Sequence, residues 1–197
     1  AINPASHATA LPSGITAGEL LLVVFACDGN PTISVDIGAS GLKWKQLVQG
    51  ANGSTVASNV FWKIAEGGDT LTLTTSAGEQ SSHASFRISG GKKVSGVSSN
   101  GSSTNSNPPN HVGGDGTQDY LWIATRAGDS TVVATVAPTN YGNMQTLAAA
   151  GTAGASINTA ERSLNAASED PGTFTSASEQ WVSFTLAVSP DDTIPAG

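Results

Sequence analysis

Four acidic side chains lie in two short stretches of an otherwise weakly charged sequence. Glu66 and Asp69 lie in "KIAEGGDTLTL", and Glu169 and Asp170 lie in "SLNAASEDPGTFT". Two carboxylates that flank a glycosidic bond form the catalytic pair of most glycosidases. Asp beside Gly, or ahead of Pro-Gly, is also typical of turns, in which its side chain accepts backbone N–H bonds. We interpret both stretches as hairpin turns rather than as a catalytic pair or a weak cation site, and we predict no enzymatic activity.

The other side chains suited to chemistry are three histidines and a single cysteine, Cys27. A zinc site needs several ligands brought together, and no second ligand stands near His7, His83 or His111 in the sequence. We therefore predict no metal and no cofactor, and we expect His7 and His111 in solvent-facing loops. Cys27 ends the apolar run "LLLVVFAC", which predicts a buried side chain without a disulfide.

Aromatic side chains offer a different kind of site, because exposed rings can stack on sugars. Trp62 lies on the apolar face of its strand and is predicted to belong to the core. Trp44, Tyr141 and Trp181 are the candidates for exposure, and together they could form a glycan-binding platform.

The charge balance excludes two classes of partner. The chain of 197 residues has a net charge of −7 and only eight Lys and Arg residues, whereas nucleic-acid binding needs clustered cations. Lys92-Lys93 is the one basic doublet, so we predict no nucleic-acid partner and no binding to an anionic membrane. The longest apolar run, residues 20–27, is far shorter than the roughly 20 residues that span a bilayer. We expect a soluble protein made in the cytoplasm.

The elements that position these residues are predicted to be strands. Short β-rich runs alternate with Gly, Asn, Asp and Pro turns, which is typical of an all-β sandwich or barrel. Residues 57–65 and 70–75 read as a hairpin around "EGGD". Residues 91–111 are rich in Gly, Ser, Asn and Pro and are predicted to be a connector, with one possible edge strand around Val94 and Val97.

The two halves of the sequence match in order. "ELLLVVFACDG" corresponds to "DYLWIATRAGD", and "KIAEGGDTLTL" to "SLNAASEDPGTFT", at a nearly constant spacing. We interpret this as a diverged internal duplication with pseudo-repeats at 13–90 and 112–190. The predicted fold is a single jelly-roll-like antiparallel β-sandwich over residues 13–190, and two tandem small sandwiches are the alternative.

The two ends of the chain lack a periodic pattern. Residues 1–12 are predicted to form an extended N-terminal arm, and residues 191–197 a C-terminal tail. Each end is either without fixed structure or extended along the sheet edge of a partner.

Three stretches resemble a known group of proteins. "LPSGITAGELLLVVFACDGN", "NVFWKIAEGGDTLTL" and "ERSLNAASEDPGTFTSASEQWVSFTLAVSP" are similar to β-sandwich structural proteins of tailed bacteriophages. The resemblance extends from about Leu11 to Pro190. Some members of this group resemble capsid cement (decoration) proteins, which sit as trimers on the outer shell, and others resemble tail-associated adhesion modules.

The resemblance implies a non-enzymatic virion component. The expected function is that of a cement protein that binds the outer capsid surface and stabilises the shell, with the major capsid protein as partner and a homotrimer as its assembly. We expect Ile2, Pro4 and His7 of the arm to contact the shell. The alternative is a tail-associated or surface module that binds host glycans through Trp44, Tyr141 and Trp181.

Overall fold

The computed structural model describes residues 3–35, 43–150 and 154–190, and this part of the chain is all-β and without helices. The strands are β1 (Ser6–Thr9), β2 (Leu20–Asp28), β3 (Ile33–Val35), β4 (Lys45–Asn52), β5 (Val56–Ile64), β6 (Leu71–Thr75), β7 (Ser81–Ile88), β8 (Gly91–Ser106), β9 (His111–Val112), β10 (Gln118–Gly128), β11 (Gly142–Ala148), β12 (Ser156–Ala166), β13 (Ser168–Glu169) and β14 (Phe174–Pro190).

The strands of the described residues form antiparallel sheets stacked in layers. The first inner sheet has the order β4-β5-β2-β7, and the second inner sheet has the order β11-β12-β10-β14-β8. A first outer sheet, β1-β6-β3, covers one inner sheet, and a small second outer sheet, β13-β9, lies on the far side of the other. This confirms the prediction of an all-β antiparallel architecture of the sandwich type, whereas the jelly-roll connectivity stays a prediction.

Strand β2 lies at the centre of the first inner sheet and is covered on both faces. Leu22 and Val24 point into the core between the inner sheets, and Val23 and Phe25 point towards the first outer sheet. Their exposed fraction is 0% in every case. Coverage on both faces explains why this strand reads as a continuous apolar run instead of an alternating one.

The largest cluster of buried apolar side chains lies between the two inner sheets. It joins Leu20 and Val60 of the first half to Ile123, Phe184 and Leu186 of the second. Two smaller clusters fill the spaces between each inner sheet and its outer layer. The two halves of the sequence therefore share one core and could not separate without exposing it.

Corresponding strands of the two halves occupy corresponding places. β4, β5, β2 and β7 follow one another across the first inner sheet as β11, β12, β10 and β14 do across the second. At the end of the central strands, Asp28 N donates to Gln80 O over 3.0 Å, and Asp129 N donates to Gln180 O over 3.2 Å. Strand β8 is the additional member, and it extends the second inner sheet beyond β14.

Residues 91–106 form the long edge strand β8. The possible edge strand around Val94 and Val97 is therefore confirmed, and the prediction that the rest of this range is a connector is wrong. Glycines in this strand let bulky neighbours approach its backbone. A Cβ atom on Gly96 would lie 2.6 Å from Leu186, and one on Gly101 would lie 2.5 Å from Trp181. The composition suggested a linker because small residues are frequent in linkers, but here they make room for side chains of the core.

The N-terminal arm is paired within its own chain over residues 6–9. Strand β1 is antiparallel to β6, with His7 opposite Leu73. The prediction that the arm as a whole lies on a partner or lacks fixed structure is therefore wrong for this strand. Alternating Leu and Thr residues in β6 provide a half-buried sheet edge that the arm completes. The predicted tail, residues 191–197, lies outside the described residues.

The shared core gives a prediction about stability. Phe184→Ala should lower the free energy of unfolding by about 3–5 kcal/mol, because it removes a fully buried ring from between the inner sheets. Urea denaturation measures this change. Val136→Ala is the control, since that side chain is 55% exposed and its loss should change stability by less than about 0.5 kcal/mol. Similar losses in the two variants would contradict the shared core.

Candidate functional site

The first acidic stretch forms an ion-paired turn. Lys63 Nζ lies 2.5 Å from Asp69 Oδ1 and 3.0 Å from Glu66 Oε2. The other oxygen of Asp69 accepts hydrogen bonds from the backbone N–H groups of Glu66 and Gly67, each over 3.0 Å. Burial raises the pKa of Asp69, but the hydrogen bonds from Lys63 and the backbone outweigh it, so the net pKa is lowered. This carboxylate is held ionised and positions the turn.

The second acidic stretch repeats this arrangement in the other half. Arg162 Nη1 lies 2.7 Å from Glu169 Oε1, and the Glu169 side chain is buried while Asp170 is exposed. Arg162 corresponds to Lys63 on the matching strand, β12. Each half thus pairs a cation on a strand with a buried acid in the stretch that follows it, and the geometry gives these carboxylates a structural task. Asp69 lies in a turn, but the turn prediction is wrong for Glu169, which lies in strand β13 opposite His111.

The histidines lie in different places from those predicted. His7 and His111 were expected in solvent-facing loops, but both are buried within strands. His7 is hydrogen-bonded to Thr75 Oγ1 over 3.0 Å, and its ring packs edge-on against Phe25. His111 is hydrogen-bonded to Ser95 Oγ over 2.8 Å. The loop prediction failed because polar strand residues can be buried when a neighbouring strand supplies the partner.

The aromatic residues do not form an exposed platform. Trp44, Tyr141 and Trp181 have exposed fractions of only 6%, 9% and 6%, so the prediction of their exposure is wrong. The indole N–H of Trp44 donates to Thr70 O over 2.9 Å, and that of Trp181 donates to Ser103 Oγ over 3.2 Å. Both indole rings are buried, and their N–H groups find partners inside the protein.

A buried ion pair in the second half was not predicted from the sequence. Arg126 lies on β10 with an exposed side-chain fraction of 0%, and its Nη2 atom is paired with Glu179 Oε1. Its Nε donates to Ser106 Oγ over 3.0 Å, and Nη1 donates to Asn158 Oδ1 over 3.2 Å. Burial lowers the pKa of Arg126 to about 10, against the opposing effect of Asp129.

The surroundings of Arg126 explain how a charge is tolerated there. A Cβ atom on Gly128 would lie 2.6 Å from Glu179 Oε1, so the glycine is needed for the carboxylate to reach the guanidinium. Ser130 Oγ donates to the other oxygen of Glu179 over 2.6 Å, and Arg126 Nη1 also donates to Val132 O over 3.3 Å. The cluster anchors the segment after β10 to the second inner sheet. The sequence signals this cluster only through the "TRAG" pattern, in which an arginine lies shortly before the glycine that ends the strand.

The described residues contain no group of three or more His, Cys, Asp or Glu side chains that could hold a metal ion. They also contain no helix of the length and apolarity needed to cross a membrane. The lone thiol, Cys27, is buried, and burial raises its pKa to about 12. Asp69, Arg126 and Glu169 are engaged in ion pairs inside the protein, and we take the outer surface of the described residues as the candidate functional site.

That surface carries a few large apolar side chains. The exposed fractions are 61% for Val112, 40% for Val132 and 55% for Val136. All three belong to the outer side of the second half, in β9 and in the segment between β10 and β11. Of the residues predicted to contact a shell, Pro4 is exposed and His7 is buried, and Ile2 lies outside the described residues. Comparison of the chain with protein-family models, curated proteins and solved structures found no match.

The buried histidines predict a pH dependence of stability. Burial lowers the pKa values of His7, His83 and His111 below 6.5, the value in the unfolded chain. Their contribution is therefore fully present above about pH 6.5 and is lost as the pH falls towards the folded-state pKa values. We expect the urea midpoint to decrease as the pH is lowered from about 7.5 to about 5.5. The double variant His7→Gln/His111→Gln should reduce the slope of the midpoint against pH. An unchanged slope would assign the dependence to other groups.

The buried ion pair predicts an asymmetry between two acids. Glu179→Ala should lower the free energy of unfolding by about 3–5 kcal/mol, because Arg126 then stays buried without its counter-charge. Glu66→Ala removes an acid with a 43% exposed side chain and should cost no more than about 1 kcal/mol. Equal losses in urea denaturation of the two variants would show that Arg126 does not depend on Glu179.

Proposed function

We propose that this chain is a non-enzymatic structural protein of a tailed-phage virion, which binds the outer capsid surface as a cement protein. The resemblance of the three sequence stretches supports the class of protein. The observation that carries the role is the layered body, in which two inner sheets share one core and the chemically capable side chains are engaged internally. Such a protein acts through its surface and its stiffness.

A cement protein must hold neighbouring shell subunits together against outward pressure. Many weak contacts achieve this when symmetry repeats them over the particle, since linked sites bind with high effective concentration. A homotrimer bound to the major capsid protein would place three copies of the same contact around one symmetry axis. The low charged fraction, 12%, is compatible with close approach to a shell of varied charge.

The contact surface that we propose differs from the one expected from the sequence. His7 is not part of the proposed contact surface because it is buried, whereas Pro4 is exposed. Val112, Val132 and Val136 present apolar area on one outer side, and exposed apolar area is typical of interaction surfaces. The alternative of a glycan-binding module loses its support, because the three aromatic rings predicted to bind glycans are all buried.

We also propose that the chain arose by internal duplication. Three correspondences support this: the shared strand order of the inner sheets, the matched hydrogen bonds of Asp28 and Asp129, and the ion pairs that Lys63 and Arg162 make from β5 and β12. When a duplicated unit packs on its own copy, the inner face of each copy is buried by the other. This strengthens the core without requiring a new fold.

The proposed role predicts a high copy number. In purified virions of a phage that encodes this chain, we expect on the order of hundreds of copies per particle, because a cement protein follows the shell symmetry. Quantitative mass spectrometry against the major capsid protein measures the number. A few copies to a few dozen would overturn the capsid location and favour the tail.

The contact surface has a direct test. We expect Val112→Asp/Val132→Asp to weaken binding to undecorated capsids by at least about tenfold, measured by co-sedimentation, because it charges the proposed apolar contact. Thr72→Asp is the control, since Thr72 is exposed on the first outer sheet and the variant changes charge in the same direction. Unchanged binding of the double variant would exclude this side as the contact.

A further inference from the structure

The two inner sheets are joined at one edge by a reciprocal pair of side-chain amides. Asn52, at the end of β4, donates from Nδ2 to Gly101 O over 2.6 Å. Asn100 of β8 donates from Nδ2 to Ala51 O over 3.1 Å. Because β4 and β8 are edge strands of different inner sheets, these two hydrogen bonds connect the sheets directly. We call this pair of hydrogen bonds the amide clamp.

The clamp lies where the regular pairing of β8 is about to end. Strand β8 pairs with β14 regularly up to Ser103, and the register then shifts between Thr175 and Glu179. Apolar contact between β8 and β4 lies further back along the strand, at Gly96, where a Cβ atom would be 3.4 Å from Val48. The clamp therefore secures β8 against the first inner sheet just before its pairing becomes irregular.

Both asparagines of the clamp precede a glycine. Asn-Gly occurs twice in the sequence, at residues 52–53 and 100–101, and both copies belong to the clamp. Asparagine is a labile residue, and a following glycine has no Cβ atom to hinder attack by its backbone nitrogen on the asparagine Cγ atom. A C–N bond forms in this attack and the side-chain nitrogen leaves as ammonia, which takes up the proton of the glycine nitrogen through solvent. Water then opens the cyclic imide to aspartate or isoaspartate.

The backbone around the two glycines differs. Gly53 lies in the turn between β4 and β5 with a φ of 57°, and its N–H group has no hydrogen-bond partner among the described residues. Gly101 lies within β8 opposite Trp181, and a Cβ atom on it would be 2.5 Å from the indole ring. Attack requires the backbone to rotate until the glycine nitrogen reaches Cγ. The turn leaves room for this rotation, whereas the sheet holds Gly101 extended.

Water also has access to the first of these sites. Gly53 is exposed and Asn52 is half-buried. A Cβ atom on Gly53 would meet no other atom within 4 Å, so the space beside the turn is open. The nucleophile, the electrophile and the water that the reaction consumes are therefore all present at residues 52–53.

We propose that Asn52 is a site of spontaneous deamidation and that its conversion releases the amide clamp. The reaction replaces Nδ2, the donor to Gly101 O, with a second oxygen, which faces that carbonyl without a hydrogen bond and adds a negative charge. Isoaspartate also lengthens the backbone at the end of β4, next to Ala51, whose carbonyl accepts the other bond of the clamp. One event thus disrupts both hydrogen bonds and loosens β8 from the first inner sheet. This inference does not depend on the virion role.

The site is tested by following both asparagines in the unmodified protein. The folded chain and a urea-unfolded chain are incubated at mildly alkaline pH, and peptide mass spectrometry with fragmentation locates the converted residues. We expect similar rates at Asn52 and Asn100 in the unfolded chain, because both lie in the tripeptide Asn-Gly-Ser. In the folded chain Asn52 should be converted at least about tenfold faster than Asn100. Conversion of Asn52 no faster than that of Asn100 would overturn the proposal.

The consequence is tested with a variant that carries the product side chain. In Asn52→Asp we expect the backbone amides of β8 between Asn100 and Ser103 to exchange with solvent hydrogen at least about tenfold faster than in the unmodified chain. Asn110→Asp is the matched control, since Asn110 is exposed and lies outside the clamp, and the variant adds the same charge. An unchanged rate in Asn52→Asp, or an equal increase in the two variants, would show that the clamp does not hold β8.

Discussion

The packing of the two inner sheets against each other is the constraint on which the rest of the structure depends. Each half contributes one sheet, and the apolar faces of both meet in a single core that includes Leu22, Ile123 and Phe184. Because the reverse face of each inner sheet also needs cover, each half keeps an outer layer of its own. The layers, the fully apolar reading of β2 and the burial of the aromatic rings all follow from this arrangement.

Polar groups in this body are held where the layers meet. Lys63 with Asp69 and Arg162 with Glu169 hold the stretch that follows a strand against that strand in each half. Arg126 with Glu179 does the same for the segment after β10, at a position where the first half has Phe25. The second half thus has a buried ion pair where the first half has an aromatic ring, and such a pair is stable only while each charge is compensated.

Local sequence pattern predicted several elements correctly and misjudged others for identifiable reasons. The two strands on either side of "EGGD" and the turn between them were predictable, since turn residues and apolar runs report directly on the backbone. The prediction that these strands pair as a hairpin is wrong, because β5 belongs to the first inner sheet and β6 to the first outer sheet. The strand at 91–106 was not, because its glycines and serines are selected by the proximity of Leu186 and Trp181 rather than by strand propensity. The depth of His7 also depends on a partner strand far away in the sequence.

The amino-acid sequence by itself determined the all-β class and the positions of the main turns, because these depend on residues close together in the chain. Only the tertiary structure decided which polar and aromatic side chains are buried, that Arg126 meets Glu179, and that residues 91–106 form an edge strand. Each of these depends on contacts between strands distant in sequence, and burial is set by what packs on a face rather than by the face alone.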